Sequence, residues 1–340
     1  MVLAAMRAGD QTAFASLVER YRRQLQVHCY RMLGSLDDAE DLVQETFLRA
    51  WRGRASFEGR SLLRTWLYRI ATNACLNALE RAPRRILPQD VASPVTAEFD
   101  ASQAREEPPW APELPWLQPY PDALLEPAAP PASEPDSVVV ARETIELVFL
   151  AALQHLPPRQ RAILLLVDLL DWSARETADL LETSVASVNS ALQRARATMR
   201  ALKPVGRELG SDRAHATERE RATVEQFIAA WEQADTRLLV GLLRDDALWA
   251  MPPAPLWFAG RAAIVRAYEL FPIDWRGRRF RMLLTAANRQ PATAAYVRAA
   301  GESDFHLSAV HVLRIERGAI AEVTTFAAQL CRAFDLPPIL

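Results

Sequence analysis

Thirteen of the 23 prolines in this 340-residue chain fall between Pro83 and Asp136, and that clustering limits what can fold on either side. Proline lacks a backbone N–H and fixes φ, so such a run continues neither a helix nor a central strand. The same stretch carries ten acidic residues against three arginines. Structureless segments of this length are unusual inside one compact domain, so residues 83–136 read as an inter-domain linker. It is not a bland spacer. Leu114-Pro115-Trp116-Leu117-Gln118-Pro119-Tyr120-Pro121 concentrates apolar area, as does Trp110 nearby. That payload favours a docked segment over free coil, with Trp116, Leu117 and Tyr120 expected to dock onto the C-terminal domain.

The flanking blocks have distinct periods. Within 10–82, Ala39, Leu42, Val43, Phe47, Ala50 and Trp51 recur at three- and four-residue steps, opposite Asp37, Glu40, Asp41, Glu45 and Arg49. A second helix over about 62–79 is expected to bury Leu62, Leu63, Trp66, Leu67, Ile70 and Ala74. Gly34-Ser35 breaks the preceding helix, and Ser35 or Asp37 is placed to cap the next. Residues 137–203 form another helical block, ending in two short helices near 173–181 and 185–202 that are separated by Glu182-Thr183-Ser184. In the last block, 221–335, helices give way to alternation from Phe305 to Ile315, and Arg317-Gly318 makes a hairpin turn. Helices followed by antiparallel strands predict an α+β domain.

Composition narrows the function classes. A net charge of −2 argues against coating DNA by bulk charge, though it permits local contacts. Cys29, Cys75 and Cys331 are odd in number and have no metal-ligand spacing, so they read as buried thiols in a reducing compartment. No metal or cofactor is expected. The N-terminus lacks the apolar core of a signal peptide, and no uncharged run approaches membrane-spanning length, which predicts a cytoplasmic protein without a membrane partner.

Asp37–Trp51, Leu63–Asn73 and Leu156–Met199, in that order, resemble a bacterial sigma factor of the extracytoplasmic-function type. The first two stretches resemble its region 2 and the third its region 4. Trp249–Pro253 and Trp257–Ile264 resemble a SnoaL/NTF2-like domain. The resemblance implies a multidomain fold: two all-α domains (region 2 at 10–82 and a helix-turn-helix region 4 at 137–203) followed by an α+β NTF2-like cone. It implies core RNA polymerase and promoter DNA as partners and a role in transcription initiation, modulated in cis by the extra domain. It leaves open a small-molecule ligand in that domain and an anti-sigma protein. The rival readings are a polymerase-independent helix-turn-helix regulator and an NTF2-fold enzyme with a DNA-binding module.

By that resemblance Asp38, Asp41 and Glu45 would dock on polymerase, where the bland alternative is a solvated acidic face. Arg69, Asn73, Asn77 and Arg81 would engage the −10 element, Asn reading bases and Arg holding phosphate. Ser187, Asn189, Ser190, Arg194 and Arg196 would face the −35 duplex from a recognition helix whose inward positions are Val185, Val188, Leu192 and Ala195, capped by Thr183 or Ser184. Trp231, Trp249, Trp257, Phe258 and Tyr268 make either an apolar pocket or plain core. Met251 stands near where an isomerase of this fold would carry a carboxylate base. His306 and His311, five apart, fall on opposite faces of a strand, and Asp304 beside His306 fits a structural histidine. No catalytic activity is expected.

Overall fold

The computed structural model describes residues 6, 8–57, 62–96, 111–125, 145–202, 218–270 and 278–340, without the side chains of residues 56 and 268–270. Two compact units emerge: Met1–Arg85 with Pro127–Asp212, and Ile86–Glu126 with Arg213–Leu340. The proline-rich segment from Ile86 onward thus groups with the C-terminal domain.

The first unit is all helix. Helix α1 (Gln11–Leu33) starts at Asp10, whose carboxylate accepts from the Ala13 N–H at 3.0 Å, and stops at Gly34, where φ of 71° admits a left-handed cap. Helix α2 (Leu36–Gly53) is capped by Ser35, which accepts from the Asp38 N–H at 3.2 Å, and Asp37 and Asp38 in its first turn suit the positive end of the dipole. Helix α3 (Leu63–Leu79) buries Leu63, Leu67, Ala71, Ala74 and Cys75. This rotates its inner face from the expected one. Leu62 precedes the first turn as N-cap and is 76% exposed, while Trp66 and Ile70 are only half-buried, the Trp66 ring lying 4.9 Å from Phe57.

Helix α4 (Leu147–Gln154) leads through Pro157-Pro158 into α5 (Pro158–Leu164), with proline in the first turn where no N–H is needed. One π-type turn (Leu165–Leu169) follows, then α6 (Ala174–Leu180) and α7 (Val185–Ala201). Ser173 and Glu176 cap α6 reciprocally: the serine accepts from the Glu176 N–H at 3.1 Å, and the glutamate accepts from the Ser173 N–H at 2.9 Å. The Ser173 hydroxyl, which also donates to the glutamate at 2.7 Å, and then the Ser173 N–H hold the Glu176 carboxyl below its ordinary pKa.

The second unit is α+β. Helices α8 (Glu218–Gln233), α9 (Thr236–Leu242) and α10 (Arg261–Leu270) accompany strands β1 (Leu243–Ala250), β2 (Trp257–Ala259), β3 (Arg279–Ala287), β4 (Gln290–Arg298), β5 (His306–Glu316) and β6 (Ala319–Ala327). The sheet order is β2-β1-β6-β5-β4-β3, with β1 parallel to β6 and every other pair antiparallel. Phe227 and Trp231 of α8 join Trp249, Phe258, Met282, Leu313 and Val323 in one core. Arg317 and Gly318, at φ 54° and 82°, give the primed turn that matches strand twist; Asn288 and Arg289, both at φ 57°, do so between β3 and β4. Among the described residues no helix is long and apolar enough to cross a membrane, and no group of three or more His, Cys, Asp or Glu could hold a metal ion.

Candidate nucleic-acid interface

The polar face of α7 is the most open of the expected contact surfaces. Ser184 caps it by accepting from the Ser187 N–H at 3.1 Å, leaving other first-turn amides at a positive helix end favourable to phosphate. Ser187, Asn189, Ser190, Arg194 and Arg196 are all exposed, while Val188, Ala191, Leu192, Ala195 and Met199 pack inward. Val185, expected inside, is 43% exposed because the first helical residue precedes the buried stripe. Arg194 donates to the Ser190 hydroxyl at 2.6 Å. Arg196 makes a two-pronged pair with Asp168 at 2.6 and 3.0 Å, and that hydrogen bonding raises its pKa. A phosphate must therefore compete with Asp168 for Arg196.

On α3, Arg69 and Asn77 are exposed and Asn73 is half-buried, while Arg81, also exposed, lies past the helix end at Leu79. Arg69 is already engaged, donating at 2.8 Å to the Asp179 carbonyl near the end of α6. Carbonyls there lack helical partners and carry the negative end of the dipole, so a guanidinium is well matched. On α2, Asp41 faces solvent, Glu45 pairs with Arg49 at 2.7 Å, and Asp38 forms an ion pair with Arg85.

Sequence reasoning missed Arg161, which is 2% exposed. Its guanidinium donates to the Met32 carbonyl, to Gln154 Oε1 at 2.8 Å, to the Gln154 carbonyl at 3.0 Å and to the Leu156 carbonyl at 3.2 Å. Met32 lies in the last turn of α1 and Gln154 ends α4. One cation therefore satisfies the negative ends of two helices and joins the region-2-like bundle to the helix-turn-helix module. Desolvation lowers its pKa to about 10, which still leaves it charged at neutral pH. Tyr68 of α3 and Trp172, just before α6, also meet, with ring centroids 5.8 Å apart. The only available signal was register: Arg161 lies three and four residues before Leu164 and Leu165, on their face.

In the second unit Trp116, Leu117 and Tyr120 are buried. The Tyr120 N–H donates to Asn288 Oδ1 and the Asn288 N–H donates to the Tyr120 carbonyl, both at 2.8 Å. Asp122 accepts from the Arg289 N–H at 2.9 Å. The linker thus holds both left-handed residues of the β3–β4 turn. Farther back, Val95 pairs with Phe258 at the β2 edge, and the Trp257 indole N–H donates to the Ala92 carbonyl at 2.9 Å. That removes Trp257 from the expected interior group: neighbours on a strand point to opposite faces, and Phe258 takes the inner one. Trp231 and Trp249 are in the core. Trp110 and the Tyr268 side chain lie outside the described residues. His311 is buried, with Nδ1 2.8 Å from Thr325 Oγ1, whereas His306 is exposed. Burial lowers the His311 pKa to about 4.

Three family models match successive parts of the chain: Sigma-70 region 2 over residues 17–85, Sigma-70, region 4 over 146–199, and the SnoaL-like domain over 224–323. The expectation of no catalytic activity is corrected by the last of these. That match places residues 224–323 in a domain family that the sequence reading had set aside as a catalyst, and solved structures similar to part of the chain include an LEH-like epoxide hydrolase of Mycobacterium tuberculosis (16% identity, 33% of this chain and 84% of that one, TM-score 0.27). The fold as a whole is similar to the crystal structure of the M. tuberculosis extracytoplasmic function sigma factor SigJ, at 20% identity over 92% of this chain and 95% of that one, with a TM-score of 0.56. The ECF RNA polymerase sigma factor SigG of M. tuberculosis is 43% identical over 338 residues, covering 98% of this chain and 86% of the relative. With regions 2 and 4 in order and similarity running through the SnoaL-like domain, the chain belongs to the ECF RNA polymerase sigma factors, and its role is transcription initiation.

Proposed function

We propose that this chain binds core RNA polymerase through the acidic face of α2 and places α3 and α7 on the −10 and −35 promoter elements. The exposed polar face of α7 behind a capped N-terminus carries the DNA reading. Asp41 and Glu45 supply the docking charge, while Asp38 is shared with Arg85. Arg69 shares one nitrogen with the Asp179 carbonyl and offers its remaining N–H groups to promoter phosphate. Asn73 and Asn77 are the base-reading groups beside it.

The linker supports modulation in cis. Residues 86–126 connect the two sigma regions yet belong to the unit of the SnoaL-like domain. Anchoring at Asn288 ties the connection between regions 2 and 4 to the SnoaL-like domain, and release would undo that tie. A small apolar ligand seated near Trp231, Trp249 and Phe258, or an anti-sigma protein, would act by shifting that balance.

Run-off transcription with purified core polymerase and a panel of promoters tests the assignment. The Asp41→Arg, Glu45→Arg variant is expected to fold normally and lose most transcript and most core affinity. Full activity of that variant would refute the docking face.

A further inference from the structure

The outer face of the sheet edge holds charge that neither the linker nor the core uses. Arg279 stands directly opposite Arg298 in the β3–β4 ladder, a position in which like charges repel. Arg298 and Arg281 both lie over the Phe305 ring, 4.8 and 5.3 Å from its centroid. Strand alternation turns Phe280 and Met282 toward the core, so Arg279 and Arg281 face outward together. Among the described residues none of these three guanidiniums has a carboxylate partner. Other arginines of the same unit do: Arg244 pairs with Asp246, Arg261 with Asp245 and Arg314 with Glu322.

We propose that Arg279, Arg281 and Arg298 grip the phosphate backbone of duplex DNA beyond the segment met by α7. Guanidinium forks suit phosphate oxygens, and the shared aromatic ring holds two of the forks in place without neutralising them. The choice of DNA over another polyanion rests on the α7 reading. Residues 202–217 join α7 to α8, and a chain of that length spans at most about 55 Å, the rise of roughly sixteen base pairs.

The test is fluorescence anisotropy of the full-length chain with a 40-base-pair duplex of arbitrary sequence between 50 and 200 mM salt. The Arg279→Gln, Arg281→Gln, Arg298→Gln variant should keep its unfolding midpoint, because the changes are at the surface. Its log–log salt slope should be shallower by about 2.7, from roughly 0.9 per lost phosphate contact. The corresponding triple lysine variant should keep the slope, and if the glutamine variant misfolds, the single Arg279→Gln and Arg281→Gln variants, each expected to lose about 0.9 of slope, decide the matter. Arg194→Gln, measured in parallel, separates the two readings. Weakening by Arg194→Gln alone would uphold α7 and overturn this proposal; weakening by the triple variant alone would do the reverse. Wild-type preference for poly-glutamate over duplex would also overturn it, in favour of recognition by an acidic protein.

Discussion

Arg161→Met is the substitution on which the helical unit depends most. Methionine fills much of the arginine volume, so the cavity term is small and the loss is mainly electrostatic and hydrogen-bonding. The guanidinium serves Met32, Gln154 and Leu156 through four bonds in a fully buried setting. Each buried carbonyl left unpaired costs about 1–3 kcal/mol, less whatever local rearrangement recovers. With three carbonyls and the Gln154 amide oxygen losing their donor, a total of about 3–5 kcal/mol is expected after that recovery. With a urea m-value of about 2 kcal/mol/M, the midpoint of the helical unit should fall by roughly 1.5–2.5 M at unchanged m. Amide exchange along α1, α4 and α5 assigns the transition to that unit. Arg161→Lys keeps the charge but has one nitrogen for two helix ends, so it should recover about half the loss. A midpoint shift below about 0.3 M for Arg161→Met would refute the idea that this cation ties the two helix ends together.

Other expectations follow from single side chains. Asn288→Ala removes the acceptor for Tyr120 and places a poor residue at positive φ, so it should cost about 2 kcal/mol; amide exchange at 116–121 should quicken, whereas slow exchange there would reject the anchor. Ser173→Ala removes one half of the α6 capping box and should cost about 1 kcal/mol by urea unfolding. Burial holds His28 and His311 neutral, at pKa values of about 3 and about 4 against an ordinary 6.5. Because the unfolded chain takes up these protons first, stability should fall as pH drops from about 6.5, by roughly 1.4 kcal/mol per unit per histidine, ending near pH 4 for His311 and pH 3 for His28. Neither should affect stability above pH 7, and His311→Gln should flatten the acid limb of the C-terminal unit in pH-dependent unfolding.

Local rules explain what was readable from the chain. Ser35 and Ser184 cap because a hydroxyl just before an apolar-periodic run meets orphan amides, whatever the rest of the protein does. The Arg317-Gly318 turn follows from backbone sterics, and the strand at β5 was legible from its period of two, although Ala309 to Ile315 are buried on both faces instead of alternately. The inner face of α3 was misjudged because Leu62 has the same hydropathy as Leu63, and which one is buried depends on where the helix begins. Trp257 and Phe258 pose the same problem on a strand: both are aromatic, and only pairing of β2 with β1 and the linker selects the inner one.

The contacts that set function are harder to read because they are polar and distant. Arg161 reaches Met32 across 129 residues, and Tyr120 reaches Asn288 across 168. Neither pair has a periodic signature: Met32 offers a backbone carbonyl left over where a helix ends, and Asn288 offers a side-chain oxygen placed by a hairpin turn. A buried cation needs unpaired carbonyls, and helix C-termini supply them; a left-handed asparagine needs its turn held, and the linker supplies that. Such sites can be anticipated in kind, as arginines in register with a buried stripe and as asparagines at tight turns beside an apolar linker. Their partners are decided only when the elements assemble. Sigma regions packed through one buried arginine, and a linker anchored on a third domain, are therefore properties of the assembled fold, and they are where a change of conformation would have to act.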